Sequence, residues 1–362
     1  MARIPITQPV IGEDEIEAVA AVLRSGMLVQ GEQVLEFERA IASSAGTEFA
    51  VALSNCTVAL EVALRAVGVE PGDTVIVTPY SWVATVNAIE IVGAKPMFVD
   101  IDPHTFNLNA VSLEQVLSST KVAAVLPVHT FGNLAGIDAI AKVTRGAGVA
   151  LVEDAACAIG AKSEIGAAGG IGMAGCFSFH PRKIVTTGEG GAVTTNDPRI
   201  ADYVRTYRNH GQRAGAFAGV GSNFRMTDFQ AAMGRVQMSK LDWMVSERSR
   251  LADRYDELLA PFGCQPQRRS VGSVVQSYVT LVPAAHTGAQ VVEQLRARDI
   301  EATVGTIAIP FTPFHSKRYG LTEEELPVVA DVNRRAVTLP LFPGMTVEQQ
   351  DTVISALAEL LV

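Results

Sequence analysis

Between Phe49 and Thr195 the chain carries seven short apolar segments, at 49–53, 74–77, 96–99, 122–128, 149–152, 174–179 and 192–195, and stretches with helical spacing lie between most of them. Strand and helix in alternation dictate a parallel sheet with both faces covered, because parallel neighbours need a long crossover and a helix is the compact way to make one. The helical stretches fit this. Residues 13–23 place Ile16, Val19, Ala20 and Leu23 on one face and end at Gly26. Val34, Phe37 and Ile41 mark a second helix, ended near Gly46. Leu60, Val62, Ala63 and Leu64 mark a third, and residues 81–92 and 137–145 read the same way. The expected fold class is therefore α/β, a three-layer arrangement around a mostly parallel seven-stranded sheet. Ligands of such sheets bind beyond the carboxyl ends of the strands. Thr57 follows the first strand, Asp154 the fifth, and Ser178 ends the sixth.

Past Thr195 the pattern changes. Residues 227–259 read as one long helical stretch with Trp243 on a face, linking two domains. Beyond it strands at 274–281 and 301–304 mix with helices at 288–298, 328–338 and 347–361. The expected division is a large domain over 1–245 and a smaller α+β domain over 246–362, in keeping with a length of 362 residues. The mean hydropathy of +0.24 implies much buried surface, a subunit interface included. No apolar run approaches the ~18–20 residues of a membrane span, and the opening MARIPITQPVIGEDE has no signal pattern. A net charge of −9 argues against nucleic acid as a partner, since phosphate binding needs a basic field. Cys56, Cys157, Cys176 and Cys264 are scattered, and neither they nor the histidines show metal-ligand spacing. Reduced thiols in a cytoplasm are the expectation.

One stretch stands out chemically: AGCFSFHPRKIVTTGEGGAVTT, residues 174–195. It reads as strand, turn, Gly-rich loop and strand, with Lys183 between the two strands. Lysines mostly stay in solvent because an unpaired buried ammonium is costly. Here the glycines at 188, 190 and 191 allow close backbone approach and Ser178 lies five positions back. A desolvated lysine with a depressed pKa is what imine chemistry with a carbonyl requires. Asp154, in VEDAACAIG, is either a carboxylate for a ring nitrogen or a helix N-cap, with Glu153 as its competitor. Ser54-Asn55-Cys56-Thr57 opens a helix, which offers free N–H groups to a phosphate but is also an ordinary capping sequence. Ser178 is either a phosphate donor or a buried serine bonded to backbone. Trp82, at the start of the helix after the second strand, either stacks on a ligand ring or packs in the core.

FSFHPRKIVTTGEGGAV resembles the FSFxxxKxxxxGEGG signature of the DegT–DnrJ–StrS sugar aminotransferases, which are pyridoxal-phosphate (PLP) enzymes of aminotransferase fold type I. The likeness extends through IPITQPVIGEDEIEAVAAVLRSG, GAKPMFVDIDPHTFNL, PVHTFG, YRNHG and GSNFRMTDFQAAMG. It implies that Lys183 carries PLP as an imine and shuttles the proton, and that Asp154 in EDAA meets the pyridine nitrogen. It implies a phosphate held by Cys56, Thr57 and Ser178, with Cys56 standing where the family has glycine. Trp82 falls where the family has Phe or Trp. Cys157 falls where the family has His or Gln bonded to the ring hydroxyl. Asn223 corresponds to an asparagine that reaches the phosphate of the partner subunit's site, which implies a homodimer with shared active sites. The resemblance further implies an amino-acid donor, glutamate first, and a keto-sugar or keto-cyclitol acceptor, often nucleotide-linked. The family's dehydratase branch has histidine in place of the lysine that this chain keeps. Other PLP chemistry, or a non-catalytic regulatory relative, is the alternative. Leu28–Gln30 and 311–319, with His315 and Arg318, are the expected substrate-facing loops.

Overall fold

The structure is a computed structural model that describes residues 3–361. Seven strands form one sheet: β1 (Phe49–Leu53), β2 (Thr74–Val77), β3 (Lys95–Phe98), β4 (Ala124–Leu126), β5 (Ala150–Asp154), β6 (Ala174–Ser178) and β7 (Gly191–Thr195). Their order is β1-β7-β6-β5-β4-β2-β3. All neighbours are parallel except that β7 runs antiparallel to both β1 and β6. The exception has a local cause. The loop from Phe179 to Gly190 that joins β6 to β7 forms no helix to serve as a crossover, and the chain returns antiparallel.

Both faces of the sheet are packed, which is what makes its strands apolar throughout. Along β1, Ala50 and Ala52 enter one apolar core while Val51 and Leu53 enter the other. Helices α2 (Glu32–Ala45), α6 (Ile137–Ala147) and α8 (Asp228–Ser239) lie toward the first core, and α1 (Glu13–Ser25) packs on α8. Helices α3 (Cys56–Ala66), α4 (Ala84–Ile91) and α7 (Pro198–Tyr207) cover the second. The remaining helix of this part, α5 (Ala110–Leu117), packs on α6. By the same alternation Leu151 faces the first core and Val152 the second, so Glu153 and Asp154 leave β5 on opposite faces.

The C-terminal part has its own sheet and its own apolar core. β8 (Gln265–Pro266), β9 (Tyr278–Leu281), β10 (Thr303–Val304) and β11 (Ala336–Leu339) form it in the order β8-β9-β11-β10. Residues 227–259 are two helices, α8 and α9 (Leu241–Leu259), broken at Lys240, and not the single helix expected. Residues 336–339 are strand β11, where helical spacing had suggested that the preceding helix runs on to 338. That helix, α12 (Pro327–Arg335), ends at Arg335 because Ala336–Leu339 pairs residue for residue with β9. The amino terminus also joins this part, since Ile4 bridges Ile300.

Glu15 ties α1 to the α8–α9 break. Its carboxylate accepts from the Gly12 N–H at 2.9 Å, from Gln237 Nε2 at 2.9 Å and from Lys240 Nζ at 2.8 and 2.9 Å. Burial pushes this carboxyl up, but Lys240, the Gly12 N–H and Gln237 together hold it below its usual range. The folded chain therefore takes up this proton less readily than the unfolded one. Its contribution is complete above the unfolded value of about 4.3 and fades as pH falls through the lower folded value. Glu15→Gln is expected to lower the urea midpoint at neutral pH, with the gap to the parent closing below about pH 4. A gap of constant size down to pH 3 would contradict this account.

Candidate active site

The carboxyl ends of β1, β5 and β6 and the start of α3 converge. Asp154 ends β5 and is buried. Its Oδ2 accepts from Thr85 Oγ1 at 2.8 Å and its Oδ1 from the Ala156 N–H at 3.2 Å. Thr85 in turn lies 2.9 Å from Ser81 Oγ. Burial pushes the Asp154 carboxyl up, while Thr85, the Ala156 N–H, Lys183 and His129 pull it down. No helix follows Asp154, so the N-cap alternative is excluded. Glu153, the competing carboxylate, is fully engaged on the other face. It accepts from the N–H groups of Gly169 (3.0 Å), Ile171 (2.8 Å) and Gly172 (2.8 Å), and its Oε2 lies 2.8 Å from His129 Nε2. Asp154 is thus the carboxylate on the face of α3 and α4.

Lys183 sits half-buried in the β6–β7 loop, with its own N–H donating to His180 O at 2.8 Å. Its Nζ donates to Cys157 Sγ at 3.0 Å. Burial pulls the amine down, but Cys157, Cys56 and Asp154 outweigh it and hold Lys183 above its usual range. This reverses the depressed value expected from the sequence: desolvation is present, but acidic groups surround the amine. Burial, with Asp154 next, pushes the Cys56 thiol well up.

Cys56 and Thr57 are the first residues of α3. The cap is Asn55, whose side chain accepts from the Val58 N–H at 3.1 Å, so the capping reading holds, with Asn as the capping residue. The N–H groups of Cys56 and Thr57, ahead of the capped Val58, remain directed at the site. Gly191 makes this approach possible, because a Cβ there would come within 2.6 Å of the Cys56 nitrogen and collide with the Asn55 carbonyl. Ser178 pairs with Gly191 at the end of β6, which places its side chain on the same face as Asp154.

Trp82 is 65% exposed, which rules out core packing. It precedes α4 instead of beginning it, because Tyr80–Ser81 is drawn into a two-stranded pairing with Ile307–Ala308. Asn223 is exposed and distant in sequence. Its Oδ1 accepts from Arg225 Nε at 3.1 Å, and its backbone bridges Asn209. His315 is not a free loop histidine. It is buried in helix α11 (Pro313–Tyr319) with Nδ1 2.7 Å from Thr312 Oγ1, and burial pulls its pKa down. Arg318 is paired with Glu90 at 3.0 Å. Sequence reasoning missed Thr85. The Ser81/Thr85 pair, four apart after a strand end, was the available signal. Among the described residues no cluster of His, Cys, Asp or Glu is placed to hold a metal, and no helix is long and apolar enough to cross a membrane. All four cysteines are free.

The sequence profile described as the DegT/DnrJ/EryC1/StrS aminotransferase family matches residues 9–358. The spore coat polysaccharide biosynthesis protein SpsC of Bacillus subtilis is 35% identical over 99% of this chain and 97% of its own length. GDP-perosamine synthase of Caulobacter vibrioides is 34% identical over 100% of this chain and 99% of its own. The crystal structure of DesV from S. venezuelae superposes with a TM-score of 0.92 at 29% identity, covering 100% of this chain and 99% of that one.

Proposed function

Since the chain belongs to the DegT/DnrJ/EryC1/StrS aminotransferase family, we propose that it transfers an amino group from an amino acid, glutamate first, to a ketone on a sugar or cyclitol, often nucleotide-linked. The observation that carries this reading is the convergence of Lys183, Asp154 and the free N–H end of α3 on one side of the sheet. These residues fit PLP. The α3 N–H groups with the hydroxyls of Thr57 and Ser178 suit a phosphate. The indole face of Trp82 suits a planar ring.

PLP, when bound, supplies an electron sink for the carbon that gains or loses the amine. The chain's own residues do the rest. Asp154, oriented by Thr85 and the Ala156 N–H, would keep a proton on the cofactor's ring nitrogen. Lys183 would supply the amine that holds the cofactor and would serve as the proton carrier at the reacting carbon. The Cys157 sulfur, in contact with Nζ, restrains the lysine from one side. A homodimer with shared sites belongs to the same proposal, with Asn223 reaching the partner's phosphate. Exposed Met27, Phe217 and Val220 near that segment support it. So does the division near residue 245, which separate apolar cores and the break at Lys240 support. A cytoplasmic location accords with four free thiols.

The test is a half-reaction. PLP-loaded protein mixed with glutamate is expected to release 2-oxoglutarate in an amount matching the bound cofactor, with no acceptor present. Cofactor uptake without 2-oxoglutarate from any amino acid would move the assignment to dehydration or other PLP chemistry. A protein that takes up no PLP would favour a regulatory relative.

A further inference from the structure

Gln276 is buried just before β9 and carries no sequence signal of function. Its side chain reaches across to the lysine loop. Oε1 accepts from the Ile184 N–H at 3.0 Å, and Nε2 donates to the Arg182 carbonyl. Only one orientation of the amide satisfies both bonds, so its flip is fixed by the partners. The two bonded groups lie on either side of Lys183. A parallel β-bridge grips a residue in the same way, through the carbonyl before it and the N–H after it. Here a single side-chain amide replaces a strand. Of the charged side chains none can do this, since a carboxylate cannot donate and an ammonium cannot accept, whereas a primary amide offers both groups in one fork.

The grip has an anchor. The Gln276 N–H donates to Phe131 O at 2.9 Å, and its carbonyl accepts from Arg248 Nη1 at 3.0 Å. Arg248 is itself buried and bonded to Leu341 O at 3.2 Å and to Thr7 Oγ1 at 3.4 Å. The backbone of Gln276 is thus fixed to both the large sheet's loops and the C-terminal sheet, while its amide holds the peptide groups that flank the lysine.

We infer that Gln276 is a positioning residue for Lys183, fixing the direction in which the lysine side chain leaves the loop by clamping Arg182 O and Ile184 N–H. The inference rests on the reading of Lys183 as the cofactor lysine. A misplacement of about 1 Å at a reacting group costs up to about a hundredfold, so the amide's geometric role has a kinetic consequence.

The test compares full-length protein with Gln276→Ala and Gln276→Glu. PLP is added, samples are quenched with borohydride over time, and the reduced adduct is located by peptide mapping. Gln276→Ala is expected to form the Lys183 adduct about tenfold more slowly and to shift the pH midpoint of the loaded protein's visible absorbance by about one unit. Gln276→Glu keeps the acceptor and is expected to fall between. A merely structural role would lower the urea midpoint and leave both readouts unchanged in the folded fraction, and that result would overturn the inference. Amide hydrogen exchange at Ile184 reads the clamp without cofactor. Faster exchange in Gln276→Ala is expected, and parent-like protection would overturn the inference even if Lys183 proved not to bind PLP.

Discussion

Lys183→Ala is expected to abolish transamination while leaving the fold intact. The loop that carries residue 183 is held by groups the substitution does not touch: the backbone bond to His180 O, the Gln276 clamp, and the Thr187 N–H and Thr186 hydroxyl on Phe179 O. What disappears is the amine, with its 3.0 Å contact to Cys157. Loss of a positioned proton carrier alone is worth about 10²–10⁴ in rate. The same nitrogen is also the point of attachment for the cofactor, so turnover should fall below detection. The parent amine sits above its usual range because acidic groups surround it. Removing it takes a positive charge from a pocket that still holds Asp154, and noncovalent PLP binding should weaken as well. The measurement is 2-oxoglutarate release from glutamate, alongside circular dichroism and a urea midpoint close to the parent's. Full turnover in a folded Lys183→Ala protein would remove the central assignment.

The layers of the fold were legible because apolar strand segments and helical spacing are local signals, and in a sheet covered on both faces nothing competes with them. All seven strands of the large sheet fall where the apolar segments lie, with ends shifted by a residue or two. The errors came where tertiary pairing overrode local spacing. Ser81 and Ala336–Thr338 lie in stretches that read as helical, yet both are taken into strand pairings by partners more than 30 residues away. Lys240, at φ −100° and ψ 0°, separates two helices that composition alone leaves continuous, and its ammonium is ion-paired to Glu15 and Asp14 of α1. The site shows the same contrast. Asp154, Ser178 and the α3 terminus were marked by their places at strand ends, and Lys183 by its place between two strands beside the Gly-rich loop. Thr85 left only the weak signal of its spacing from Ser81 and Gln276 left none, because what they do depends on which backbone or carboxylate lies opposite, and sequence does not carry that.

Without the family resemblance the residues left Glu153 and Asp154 in competition, and the structure gives Glu153 a task of its own with a large expected cost. Its side chain is completely buried and accepts four hydrogen bonds, three of them from the glycine-rich segment 169–172. That segment lies so close to its surroundings that a Cβ on Gly172 would come within 2.5 Å of Leu151 O. The Gly169 N–H is buried and those of Ile171 and Gly172 are partly buried, so losing the carboxylate strips all three of their acceptor. Glu153→Ala is expected to lower unfolding stability by about 3–5 kcal/mol, the range for breaking a buried charged hydrogen-bond network. Glu153→Gln keeps an acceptor oxygen for part of the segment and should cost clearly less. Urea unfolding of the two variants against the parent measures the difference. An alanine variant within about 1 kcal/mol of the parent would mean that segment 169–172 finds other partners, since one ordinary hydrogen bond is worth that much. Because β5 alternates its faces, the same experiment bears on the site: loosening Glu153 on one face frees the strand end that presents Asp154 on the other.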